Sequence, residues 1–161
     1  DLVSLPDEVT QKLREYIPPA GNMIRNPIDA HVLFTELEPL GKTLEILSQG
    51  HIDMFIFSLH IEWLYNFDNG AQIQNIGNYI AHSARKHAKG KPIAVVLRHY
   101  NPHPRYTKKR VLLQKILCDA GVPTYNALPQ AVFALAKLAQ YHEFQSRQAQ
   151  YQKNLCALKK E

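Results

Sequence analysis

The chain has 161 residues, 45% of them hydrophobic, and a formal charge of +5. That length suggests a single domain with enough apolar material for a sizeable core. No apolar run is long enough to span a bilayer, the start (Asp1, Leu2, Val3) does not read as a signal peptide, and Cys118 and Cys156 stand far apart outside any C-x-x-C. Reduced thiols and a cytoplasmic protein are therefore expected, with no membrane partner.

The first predicted element is a helix in "SLPDEVTQKLREYI", with Ser4 as N-cap, Pro6 and two acids in the first turn, and Val9, Leu13 and Tyr16 or Ile17 at helical spacing. The pair Pro18-Pro19 ends it. "GNMIR" is expected as a short strand, and Asn26, which precedes Pro27, is pushed toward extended geometry. A second helix is expected from about Glu36 to Ser48, closed by Gly50.

"IDMFIFSL" (52–59) is a near-continuous apolar run and reads as a strand buried on both faces. A helix over 69–88 follows, with Ile73, Ile76 or Gly77, and Ile80 on one side, and "KPIAVVLRHY" (91–100) is a second buried strand. "TKKRVLLQKILCDAG" (107–121) reads as a helix with Thr107 as N-cap and Gly121 at its end. "VPTYN" (122–126) is a short strand, and "LPQAVFALAKLAQYHEF" (128–144) a last apolar helix with Pro129 near its first turn. Residues 145–161 are polar and read as a helix extension or a linker, the linker being preferred.

The order α, short β, α, β, α, β, α, β, α predicts an α/β domain over 1–144. Its parallel sheet would be sandwiched by helices in three flavodoxin-like layers. A five-stranded sheet of this kind needs a strand before the first helix, so the domain is expected to lack its first strand, with that strand upstream of Asp1. An open sheet edge would invite strand exchange or a homodimer.

The strand ends hold no G-x-G-x-x-G, no Walker loop and no G-x-S-x-G. Ser58, Leu59 and His60 stand where a receiver domain needs an Asp, and the loop after Leu59 lacks the Ser/Thr/Gly character of an FMN phosphate site. Among the eight histidines, His99 and His103 flank "YNP" and His82 and His87 share one predicted helix, but an i, i+5 pair on a helix faces different directions. No metal site is expected. His60 is the most interesting histidine, read first as a polar residue leaving a buried strand. Trp63, Tyr65 and Phe67 read as a partly exposed aromatic lip beside it. The basic clusters at 83–91 and 98–110 suit a polyphosphate or nucleic acid, but a solvated helix end and an exposed loop explain them first.

Three stretches carry a family resemblance. "LPDEVTQKLREYIPPAGNMIRNPIDA" resembles the helix, P-P, short strand and N-P-x-D of the NDP-forming acyl-CoA synthetases, relatives of succinyl-CoA ligase. "CDAGVPTYNALPQAVFALAKLAQYHEF" is similar to that family's G-I-P-x-Y-x-x-P-E-x-A pattern, and "KPIAVVL" falls where the family has Lys-Pro and a hydrophobic strand. The likeness covers about residues 4–144, with Gln130 standing where the family often has Glu. "LHIEWLYNFDNG" and "RHYNPHPRY" are more aromatic and richer in His than the family pattern.

The resemblance implies the second flavodoxin-like ligase domain of an enzyme that converts acyl-CoA, NDP and phosphate to acid, CoA and NTP through a phosphohistidine. CoA, ADP or ATP and Mg are implied for the complete enzyme, with none bound by this domain. CoA-binding and ATP-grasp modules are the implied partners, and the domain alone is expected to be inactive. Asp29 is then expected to hydrogen-bond the phosphohistidine imidazole of a neighbouring module and fix its tautomer. Asn26 is expected to bridge backbone groups of the turn. An Asp29 that only caps the following helix is the competing reading. Two other classes stay open: an interaction or regulatory domain of a diverged synthetase-like protein, and a basic nucleic-acid-binding domain, which is disfavoured.

Overall fold

The strand Ile93–Arg98 (β2) organises the domain, with residues 93–97 buried on both faces. The computed structural model describes residues 2–35, 37–50 and 52–158, with the side chains of 35, 37 and 153–158 excepted. β2 is flanked in parallel by Phe55–His60 (β1) and Thr124–Tyr125 (β3), giving a three-stranded sheet in the order β1-β2-β3. In β1, Phe55 pairs with Ile93 and His60 with Arg98.

Alternation along β2 divides the core. Ile93, Val95 and Leu97 join Phe55 and Leu59 in the larger cluster, whereas Ala94 and Val96 pack with Ala131 and Leu135 in the smaller one. The larger cluster is covered by Asp7–Arg14 (α1), Leu37–Ser48 (α3), Ile61–Asp68 (α4), Ile73–Lys86 (α5) and Pro104–Asp119 (α6); a single turn, Val32–Thr35 (α2), precedes α3. The smaller is covered by Leu128–Leu158 (α7). The molecule is thus an α/β domain with helices on both sides of a parallel sheet.

Close packing of α5 on α6 rests on Gly77, where an added Cβ would lie 2.7 Å from Leu113 Cδ1 and 3.3 Å from Ile116 Cγ2. α6 stops in a Schellman turn. Gly121 takes φ +79°, Val122 N–H donates to Leu117 O at 2.9 Å, and Gly121 N–H donates to Cys118 O. Val122 and Leu117 are both buried, which aims the chain into β3.

Several sequence expectations need correction. "GNMIR" adds no strand to the sheet; Met23 pairs with Asp29 in an isolated antiparallel bridge, because the chain doubles back through Asn26-Pro27, whose peptide is cis. β1 is not buried on both faces: Ile56 and Ser58 are exposed, since α7 contacts β2 and β3 and leaves that side of β1 open. Ser4 does not cap α1; Pro6 holds that position without a side-chain cap, and Asp7 and Glu8 supply the favourable first-turn charge. Thr107 lies inside α6, which begins at Pro104 after His103; the His103 Nδ1 accepts Arg105 N–H. α4 was not expected, and the helix predicted to begin at 69 is α5, which begins at Ile73. α7 runs unbroken to Leu158, and from Gln140 to Gln152 it is exposed. The predicted start of the second helix at Glu36, the Cys156 side chain and residues 159–161 fall outside the described residues.

Candidate functional site

A cleft of about 280 Å³ opens at the carboxyl ends of β1 and β2. Ser58, Leu59 and His60 come from β1 and Arg98 from β2, while Trp63 and Leu64 of α4 and Phe34 of α2 give it apolar walls. Gly21, Asp29, Ala30 and His31 close it from the doubled-back segment. The Met23–Asp29 bridge, with both backbone hydrogen bonds made at 2.7 and 3.0 Å, fixes that segment against the sheet end.

Asp29 is exposed, and its carboxylate makes no hydrogen bond or ion pair among the described residues. It does not cap the next helix: His31 N–H instead donates to Asn22 Oδ1 at 3.2 Å. Asn26 does not bridge backbone groups of its own turn: its Nδ2 donates to Val3 O at 2.8 Å, and it does not line the cleft. Its contact is with the N-terminal segment rather than with anything the cleft would hold.

Behind the cleft wall stands Glu62, at the second position of α4. Its Oε1 accepts the backbone N–H groups of Tyr100 and Asn101, both at 2.7 Å, and lies 3.1 Å from His99 Nδ1. The other ring nitrogen of His99 meets Thr107 Oγ1 at 3.2 Å. Glu62 Oε2 is 3.2 Å from His60 Nε2, and this buried oxygen has no hydrogen-bond partner among the described residues. Burial alone would raise the Glu62 carboxyl, but it is outweighed. The N–H donors of Asn101, Tyr100 and Glu62 itself, with the nearby His60, hold it below the usual carboxylate range.

A second buried polar group faces the same region. Arg98 Nε is buried without a hydrogen-bond partner among the described residues. Such an orphaned donor costs about 1–3 kcal/mol, more when charged.

The two stretches that departed from the family pattern pack against each other. Tyr65 and Tyr106 meet edge to face at 5.0 Å, Arg105 lies over both rings, Tyr106 Oη donates to Asn66 Oδ1, and His60 meets Tyr100 edge to face at 5.6 Å. The predicted aromatic lip is split by the helix: Trp63 and Phe67 share one face of α4, and Tyr65 turns to Tyr106.

His82 and His87 approach more closely than helical spacing implies, with ring centroids 6.4 Å apart, because His87 is the residue that ends α5. Among the described residues no group of three His, Cys, Asp or Glu is placed to hold a metal ion. Lys91, Lys109 and Arg110 are bonded to Gly50 O, Gly70 O and Asn126. No described helix is long and apolar enough to cross a membrane.

No family model, no curated protein and no solved structure matches this chain.

Proposed function

We propose that the chain is a flavodoxin-like ligase domain of an NDP-forming acyl-CoA synthetase. It is inactive alone and contributes one wall of a phosphoryl-transfer site. The observation that carries this reading is that Asp29, the last residue of the Asn-Pro-x-Asp corner, shares one cleft with the carboxyl ends of β1 and β2, where ligands bind in open α/β sheets. Asp29 offers that cleft a carboxylate with no competing partner among the described residues. An imidazole from a neighbouring module, donating one N–H to Asp29, would keep its other nitrogen in the nucleophilic tautomer.

The cleft does not fit a nucleotide with its magnesium. Asp29 is the only carboxylate among its lining residues, and the strand ends lack a phosphate-cradling glycine loop. CoA, ADP or ATP and Mg then belong to the CoA-binding and ATP-grasp modules of the complete enzyme. Gln130 departs from the family pattern without losing the local job: its Oε1 accepts Asn126 and Ala127 N–H at the start of α7, as a Glu would.

The test is ATP formation from acyl-CoA, ADP and phosphate by the full-length gene product, together with its histidine phosphorylation. Asp29→Asn is expected to lower turnover by about a hundredfold, the scale of a misplaced acid–base partner. Unchanged phosphorylation and turnover in Asp29→Ala overturn the reading.

A second reading, an interaction domain of a diverged synthetase-like protein, draws on α7, where Phe133, Tyr141, Phe144 and Tyr151 are all more than half exposed. Full-length protein that has no ligase turnover yet keeps stable association with its other modules favours it.

A further inference from the structure

We infer that α7 is a self-association helix, whose outer stripe pairs with the same stripe of a second copy of this chain, in parallel and in register. The helix has two apolar faces with different surroundings. Ala131 and Leu135 are buried in the smaller core cluster and Leu138 packs partly beside them, all near the start of the 31-residue helix. From Gln140 to Gln152 every residue is exposed. A helical segment of that length is marginal in water by itself.

This exposed segment is not polar all round. Tyr141, Phe144, Gln148 and Tyr151 follow one another at steps of three, four and three, and the sequence keeps the rhythm with Leu155 and Leu158. Alternating steps of three and four mark the a and d sites of successive heptads. Tyr141, Phe144 and Tyr151 are each more than half exposed. At about 3.6 residues per turn, the stripe lies about a third of a turn from the face that holds Ala131 and Leu135. Phe133, also exposed, falls on the stripe's side of the helix. Tyr141 Oη accepts Gln145 Nε2 at 2.7 Å, so the ring can be covered with its polar tip partnered.

The charges fit an identical helix. Within 140–152 the formal charges are Glu143 and Arg147, which offset each other across one turn at 3.5 Å. Beside the stripe stand Gln140, Gln145, Arg147 and Gln152. In a parallel pair Gln140 meets Gln145 of the second copy and Arg147 meets its Gln152, so like charges never face each other. Gln148, a polar residue at a central a site, sets the register. Aligned copies let the two amides bond each other, whereas a slip of one heptad sets each against Tyr141 or Leu155.

The area is sufficient. The exposed rings of Phe133, Tyr141, Phe144 and Tyr151 each leave about 100 Å² in water. Two copies would cover about 800 Å² through these rings alone, about half of a standard interface. The pairing goes beyond the ligase reading and does not rest on it.

The experiment measures the mass of the 161-residue chain by sedimentation equilibrium, from below to above micromolar concentration. A monomer–dimer equilibrium with a dissociation constant on the order of micromolar is expected. Phe144→Glu, at an exposed position, should leave thermal unfolding of the monomer unchanged and weaken the dimer by about a hundredfold. Gln148→Leu should tighten it by about tenfold, because a polar a site costs stability. Tyr141→Cys, in a chain also carrying Cys118→Ser and Cys156→Ser, should oxidise to a linked dimer. Position 141 meets itself in a parallel pair and lies far from itself in an antiparallel one.

A chain that stays monomeric overturns the proposal, including one whose α7 binds a helix of a different module instead. A dimer of unchanged affinity in folded Phe144→Glu overturns it and moves the contact elsewhere, the edge of β1 included. A Tyr141→Cys chain that dimerises without cross-linking overturns the parallel arrangement. Loss of turnover in Asp29→Asn is unaffected by any of these outcomes, so the ligase reading stands or falls separately.

Discussion

The Glu62 carboxylate accepts the backbone N–H of Asn101 at 2.7 Å, across 39 residues of sequence. With the matching bond from Tyr100, this ties the loop after β2 to the first turn of α4. Because the folded pKa lies below the unfolded one, the stabilisation is fully present above the unfolded value of about 4.3 and is lost as pH falls through the folded value. Glu62→Gln should cost about 1–3 kcal/mol at pH 7. Urea unfolding of both proteins between pH 7 and pH 3 should show the difference narrowing below about pH 4. A constant difference across that range counts against the charge.

Gly77 lets α5 and α6 approach. Gly77→Val would place methyl groups where Leu113 and Ile116 already pack, and Leu113 is fully buried. The expected loss is about 1–3 kcal/mol, measured by thermal unfolding. A variant as stable as wild type would mean that the two helices are freer to separate than the packing implies.

At the start of α7 the Gln130 side chain reaches back to two backbone N–H groups. Gln130→Ala should cost about 1 kcal/mol, as loss of a cap does. Gln130→Glu should keep or slightly raise stability through its charge at the helix N-terminus. Denaturant midpoints of the three proteins decide this, and an Ala variant equal to wild type would assign the bonds no net worth.

Much of the body was legible because its signals are local. The apolar run 93–97 announced a strand buried on both faces, and Gly121 marked the end of α6. α4 was missed because "IEWLYNFD" reads as an aromatic loop; its buried residues, Ile61 and Leu64, are only two, and the clearest mark was the left-handed Asn69 before Gly70 at its end. Of the site, Asp29 and His60 are legible in the turn and at the strand end. Arg98 reads in the sequence only as part of a basic cluster. Glu62 had no sequence signal at all, because its partners lie 37 to 39 residues away. No pattern of spacing encodes a bond that only the parallel pairing of β1 with β2 brings together.

β1 has one strand neighbour in the sheet. In a parallel ladder each residue directs both its amide and its carbonyl to one side, and Phe55 N–H points toward β2, bonding Pro92 O. Phe57 and Leu59 follow the same side, so Ile56 and Ser58 direct their amides away from the sheet. Their protons should exchange with deuterium oxide much sooner than those of Phe55 and Leu59, so that solvent isotope labelling would trace a sawtooth along six residues of one strand.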